Sequence, residues 1–294
     1  MQVVDVQQVS IPNTSLSMAR RSMASAEYEA YESVKLYSIS YQSSGLTIKG
    51  WLTLPGVISG KHPAVVFNRG GSGVRGALTD VGAMAFIGRY AAWGYVGIAS
   101  NYRGVGGSDG QEEWGDGDVD DALNTLNVLD SLEYVNKDAI GLVGGSRGGM
   151  MALMMLTRTS RFRAAVTFGA PTTIDSEAHK SYIRATMAKY ITTGVSEQEQ
   201  AERLSAVRWS DKLCKTTPLL VLHGSGDKRV PALHAIRLAE ELQRLHHPYK
   251  LIVYDNADHV LAGRRDESTQ DIRWWLDHYV KNKAPLPRTG PHGA

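Results

Sequence analysis

From Lys35 onward the chain alternates short apolar runs with longer amphipathic stretches. LYSISYQ and LTIKGWLTLP, joined by Ser-Ser-Gly, have the composition and turn of an opening antiparallel pair. Six further runs follow: PAVVFN from Pro63, YVGIASN from Tyr95, AIGLVGG from Ala139, AAVTFG from Ala164, PLLVLHG from Pro218 and KLIVYDN from Lys250. They are almost continuously hydrophobic, as strands covered on both faces should be, so they predict a mainly parallel sheet. Helical patterns at 78–93, 119–132, 149–157, 232–245 and 270–280 lie between them. Strand and helix repeated in this order predict a doubly wound α/β domain with right-handed crossovers.

One connection is too long for a simple crossover. Residues 172–217 leave after AAVTFGAP, pass through HKSYIRATMAKYITTG and SEQEQAERLSAV, and return at PLLVLHG. The excursion reads either as a small helical cap over a site or as a peripheral helical pair with no gating role. The expected organisation is an N-terminal arm at 1–34 with a helical part, SMARRSMASAEYEAYES, then an α/β domain at 35–283 and a tail at 284–294 that frays.

The candidate chemistry sits where strands end. VGGSRGGMM places Ser146 between paired glycines after one apolar run and before another, and Gly144 to Gly148 fit G-x-S-x-G. At a strand-to-helix turn that pattern lifts the hydroxyl above the sheet edge, and the small neighbours let two backbones pass closely. The following helix start offers N–H groups and partial positive charge to a developing oxyanion. A serine hydroxyl needs a base, and the base needs an orienting carboxylate. Asp227 follows PLLVLHG and His259 follows KLIVYDN, so Ser, Asp and His appear in order, each just past its own strand. His223 reads as a packing or turn residue, and Asp255 and Asp258 are second choices to Asp227 as orienter. The loop FNRGGSGVRG should supply a second oxyanion donor from Gly70 or Gly71, beside the N–H of Arg147.

Other features point elsewhere only at first sight. WGDGDVDDA lacks the glycine and the closing acid of a calcium loop and reads as an acidic helix start. The methionines at 150, 151, 154 and 155 read as core behind the serine turn, and NYRGVGGSDG lacks dinucleotide-binding spacing. No metal or cofactor is expected. At 43% hydrophobic, 21% charged and a formal charge of +2, the composition is that of an ordinary globular protein and points to neither nucleic acid nor a membrane surface as partner. The single cysteine, Cys214, excludes an intrachain disulfide and fits a reducing compartment. The first residues lack the basic-then-apolar order of a signal peptide, and Arg89 splits the longest apolar candidate, so a soluble, cytoplasmic protein is expected.

Together NRGG, NYRGVGGSDG, WGDGDVDDALNTL, IGLVGGSRGGMMALMML, GSGDKRVP and NADHVL resemble the α/β-hydrolase superfamily, and within it the catalytic domain of the prolyl oligopeptidase family, over about residues 35–283. The resemblance implies an α/β-hydrolase fold with Ser146 as nucleophile, Asp227 as orienter and His259 as general base and acid. It also implies an oxyanion hole from Arg147 and from one of Arg69, Gly70 and Gly71. Two departures stand out: the arm at 1–34 is too short for the β-propeller of the large peptidases, and Arg69 replaces the tyrosine of the oxyanion loop. Arginine's forked donors suit a carboxylate, so Arg69 is expected to orient an acidic group or a carbonyl of the substrate. The function expected is a serine hydrolase cleaving ester or amide bonds of small molecules or short peptides through an acyl-enzyme. The alternatives are a carboxylesterase or dienelactone-hydrolase-like enzyme without peptidase action, and a catalytically silent binding module.

Overall fold

The computed structural model describes residues 3–177 and 181–290. Positions 1–2 of the expected arm, 178–180 of the expected cap (His179 among them) and 291–294 of the tail (with His292) lie outside the described residues. The chain forms two compact units, Met1–Glu112 with Asp116–Gly141, and Glu113–Gly115 with Leu142–Ala294.

The first unit opens with strand β1 (Val3–Val9), helices α1 (Asn13–Ser22) and α2 (Ser25–Glu32), and strands β2 (Lys35–Ser43), β3 (Leu46–Leu54) and β4 (His62–Asn68). Helices α3 (Asp80–Ala83) and α4 (Arg89–Ala92) follow, then β5 (Val96–Ser100), α5 (Asp116–Asp130) and β6 (Val135–Gly145), whose last residues belong to the second unit. The strands lie in the order β1-β2-β3-β5-β4. The β2–β3 hairpin turns on Ser44 and Gly45, both at positive φ (50° and 81°), the geometry that matches the right-handed strand twist. The 78–93 pattern forms as α3 and α4 around a π-helical turn, Met84–Gly88. Strand β1 was not expected. Nearly all of VVDVQQV is exposed, so it lacks the alternation that marks a half-buried strand, and backbone pairing with β2 from Val3↔Tyr41 to Val9↔Leu36 defines it.

The second unit holds α6 (Arg147–Leu156), β7 (Ala164–Phe168), α7 (Tyr182–Met187), α8 (Glu197–Leu204), β8 (Leu219–Gly224), α9 (Leu233–Arg244), β9 (Tyr249–Tyr254) and α10 (Arg265–Leu276). Strands β7, β8 and β9 pair in parallel, as β4 and β5 do in the first unit. Helix α6 packs on β7, α9 on β8 and β9, and α10 on β7 and β8. Met150, Met151 and Met155 are fully buried, the core role expected of them, whereas Met154 is half-buried. Within 172–217, buried Arg184 joins α7 to α8 through Glu197, Nη2 to Oε1 2.8 Å. The start of the same segment hangs on α9, where His234 Nδ1 accepts the backbone N–H groups of Thr172 and Thr173, each at 3.0 Å. Accepting both requires that Nδ1 be unprotonated, with the ring proton on Nε2 facing Glu177 Oε1 at 3.1 Å. Burial pushes this imidazole down to about 4, against the opposing pull of Glu177.

Candidate active site

Strand β6 ends at Gly145 and α6 begins at Arg147, so Ser146 alone makes the turn. Its backbone sits at φ 53°, ψ −126°, a conformation that costs a residue with a side chain about 1–3 kcal/mol. Hydrogen bonds hold it there: Ser146 N–H donates to Phe168 O at 2.8 Å, and Ser146 O accepts from Gly149 and Met150 N–H at 2.8 and 3.2 Å. The glycines make room. A Cβ at Gly144 would fall on the Gly148 carbonyl, one at Gly145 on the Phe168 ring, and one at Gly149 would lie 2.7 Å from Ala170 Cβ.

The strained turn aims the hydroxyl at an imidazole. His259 Nε2 lies 2.9 Å from Ser146 Oγ, and His259 Nδ1 lies 2.7 Å from Asp227 Oδ2. An ionised carboxylate only accepts, so Asp227 fixes the Nδ1–H tautomer and leaves Nε2 as an acceptor facing the hydroxyl. The carboxylate is itself held: its Oδ1 accepts from the N–H groups of Arg229 and Val230 at 2.8 and 3.0 Å. Burial opposes its ionisation, but hydrogen bonds from His223, His259 and Val230 N–H and the charge on His259 outweigh it. They hold the carboxyl well below the usual carboxylate range. The Asp227 side chain is fully enclosed, whereas that of His259 keeps 11% exposure.

The rival acids are engaged elsewhere. Exposed Asp255 pairs with Arg264 at 2.6 Å, and Asp258 accepts the N–H groups of Val260 and Ala262, shaping the loop that carries His259. Two neighbours of the relay, one unremarked in the sequence and one read there as a packing or turn residue, lie against it. Gly169, at φ 57°, lies under the His259 ring, where a Cβ would come 3.3 Å from Nδ1 and Cε1. His223 lies behind Asp227, with Nε2 3.3 Å from Oδ2. A glycine just past a strand and a histidine four residues before the acid are the sequence traces of the two.

Arg147 is buried, and its guanidinium carbon lies 5.7 Å from the centre of the Trp114 ring, which stacks in parallel on Tyr190 at 6.3 Å. Arg147 is the first residue of α6, so its backbone belongs to the helix turn whose N–H groups have no acceptor within the helix. In the first unit, the loop after β4 is built around Arg69. The guanidinium, 2% exposed, donates from Nη2 and Nε to Asn101 O at 2.5 and 3.2 Å, and from Nη1 to the Gly70 and Gly71 carbonyls at 3.3 and 3.4 Å. It also lies 3.8 Å from Glu112 and over the Tyr102 ring at 4.5 Å. This corrects the expectation that Arg69 meets an acidic substrate: its donors are spent on backbone carbonyls and it is enclosed. Gly71 takes φ 74° in the same loop, and a Cβ on Gly76 would come 2.8 Å from Arg69 Nη1. Arg103 is a brace of the same kind, with Nε and Nη2 2.9 and 3.0 Å from the two oxygens of buried Asp121.

A mostly parallel, helix-covered sheet with a serine on a strained strand-to-helix turn is the α/β-hydrolase fold, and the chain is a serine hydrolase. Residues 85–283 match the Prolyl oligopeptidase family, and the chain belongs to it. It is 30% identical over 257 residues to the uncharacterized peptidase YtmA of Bacillus subtilis, covering 85% of this chain and 95% of that protein. Its fold is similar to Pyrococcus horikoshii acylaminoacyl peptidase, with TM-score 0.74, 21% identity, and coverage of 87% of this chain and 43% of that one. A puromycin-hydrolyzing peptidase of Mycobacterium tuberculosis gives TM-score 0.71 at 22% identity, covering 85% of this chain and 40% of that one. The chain thus spans nearly all of the Bacillus protein and about two fifths of the solved peptidases. Among the described residues no helix is long and apolar enough to cross a membrane, and no group of three or more His, Cys, Asp and Glu side chains is placed to hold a metal ion.

Proposed function

We propose that this protein is a serine peptidase acting on short peptides or aminoacyl amides, with Ser146 as nucleophile, His259 as general base and acid, and Asp227 as its orienter. The observation that carries the reading is the unbroken relay from Ser146 Oγ through His259 to Asp227 at 2.9 and 2.7 Å. Ser146 Oγ attacks the scissile carbonyl as its proton passes to His259 Nε2, and the imidazolium is stabilised by Asp227. His259 returns that proton to the leaving amine, and water repeats the sequence on the acyl-serine. The N–H of Arg147 is assigned to the oxyanion. Family membership favours an amide over an ester as the natural substrate. Residues 172–217 are assigned as a cap, supported by Tyr190 of that segment stacking on the tryptophan beside Arg147. A cytoplasmic location is part of the proposal, supported by the one free cysteine, Cys214.

A fluorophosphonate should label wild type at Ser146 and leave Ser146→Ala unlabelled. A panel of aminoacyl and N-acyl-aminoacyl amides beside matched short-chain esters then separates the readings. Turnover of amides supports the peptidase, turnover of esters alone makes the protein a carboxylesterase, and an unlabelled wild type makes it a silent member of the fold.

A further inference from the structure

His223 ends β8 with 1% exposure, at the back of the carboxylate that orients the base. Its Nε2 lies 2.8 Å from the carbonyl oxygen of Val230 and 3.3 Å from Asp227 Oδ2. A carbonyl only accepts, so Nε2 carries a proton whatever Nδ1 does, and the same nitrogen lies within reach of the carboxylate. Val230 closes the ring, because its own N–H donates to Asp227 Oδ1 at 3.0 Å. One residue of the turn is thereby tied to Asp227 from one side and to His223 from the other. A packing histidine would need the proton on Nε2 for the carbonyl, but not the approach to Oδ2.

We propose that His223 is a positioning residue for the reaction: it donates to Asp227 Oδ2 from behind, so that this oxygen faces His259 with reduced basicity and a fixed direction. The inference rests on the triad assigned above. Oδ2 receives His259 Nδ1–H and His223 Nε2–H, while Oδ1 receives the two backbone N–H groups, so both oxygens are saturated and the carboxylate has no second orientation of equal energy. Removing the His223 donor makes Oδ2 a stronger partner for the imidazolium, which keeps the base protonated to higher pH. The titratable groups that face Asp227 are His259 and its neighbour Asp258 from one loop and His223 from β8, while His234 on α9 in turn feels His223. Asp258 and His234 are unchanged in the variants below.

The test compares His223→Leu, which keeps the volume and loses the donor, with His223→Gln, whose side-chain N–H₂ reaches the same place. The acid limb of kcat/KM against pH should move up by about 0.5–1 in the leucine variant, with about a tenfold loss at its optimum, and Gln should restore both. A slower leucine variant with an unmoved acid limb, or a glutamine variant no better than leucine, overturns the proposal. Should the leucine variant fail to fold, nitrogen-15 spectra of the histidines decide: a His223 Nε2–H signal that moves in Asp227→Asn supports the proposal, and one that stays put, or a ring protonated at Nδ1 alone, overturns it. Wild type, His259→Ala and Ser146→Ala are run alongside. If the two alanine variants keep activity, the triad itself is wrong; if they lose it while His223 behaves as packing, only this inference fails.

Discussion

At 144–149 the chain turns out of β6 around Ser146, and at 69–76 it turns out of β4 around Arg69; both turns are rich in glycine and both carry an arginine. In the first, the glycines let backbone meet backbone, because side chains there would strike a carbonyl, a phenyl ring or Ala170. What is left pointing outward is a small hydroxyl. In the second, the glycine backbone wraps a guanidinium, whose donors are taken up by Asn101, Gly70 and Gly71. The same composition serves in one place to present a side chain and in the other to enclose one. Glycine content therefore marks where the backbone is unusual, and only the contacts say which group the unusual backbone is for.

The strongest attack on this contrast is to remove the presented group. Ser146→Ala and His259→Ala should each lower kcat by about 10⁵–10⁶ with the fold retained, checked by steady-state kinetics and circular dichroism; activity within tenfold of wild type would sink the assignment. Asp227→Asn should cost about 10⁴, because an amide at that place no longer selects the Nδ1–H tautomer. A larger loss from Asp255→Asn or Asp258→Asn would transfer the orienting role to that residue. Gly169→Ala tests the close approach under the base. It should lower kcat about ten- to a hundredfold by displacing His259, and the strained φ should show as a lower urea midpoint.

Arg69 tests the other side of the contrast. Arg69→Gln should cost roughly 3 kcal/mol of stability by leaving Glu112 and the loop carbonyls without their partner. It should slow matched neutral and carboxylate-bearing substrates alike, within about twofold of each other. A selective loss on the acidic substrate would restore the substrate-binding role that the geometry removes. The last expected effect is a slope with pH. The folded value of His234 is depressed from 6.5 to about 4, so protonation favours the unfolded chain. Its contribution is complete above pH 6.5 and drains as pH falls toward 4, by about 3 kcal/mol in all. Urea titrations at several pH values should show that slope in wild type and lose it in His234→Asn, which keeps an acceptor but does not titrate.

Much of the site could be read in advance because its parts are local. A hydroxyl on G-x-S-x-G after a strand, an acid after PLLVLHG and a histidine after KLIVYDN are each fixed by a strand end, so order along the chain carries over into space. What could not be read depends on contacts between distant segments. Strand β1 exists through its pairing with β2, since its own exposed residues show no alternation. Enclosure of Arg69 depends on Asn101, Tyr102 and Glu112, far along the chain. Gly169 and His223 matter through a ring and a carboxylate that other strands deliver.

The backbone of Ser146 has a consequence for how this protein could change over time. Its φ of 53° and ψ of −126° belong to glycine more comfortably than to any other residue, so the turn is cheapest with no side chain at all. With Ser146 as the proposed nucleophile, a single step from serine to glycine would relax the turn and silence the enzyme together. Selection for stability and selection for activity thus pull against each other at one codon, and a duplicate copy freed from catalysis has a downhill route to becoming a pure binding protein. The same geometry makes Ser146→Gly a natural bait: a hydrolase that keeps its shape and its grip on substrate but cannot let the reaction begin.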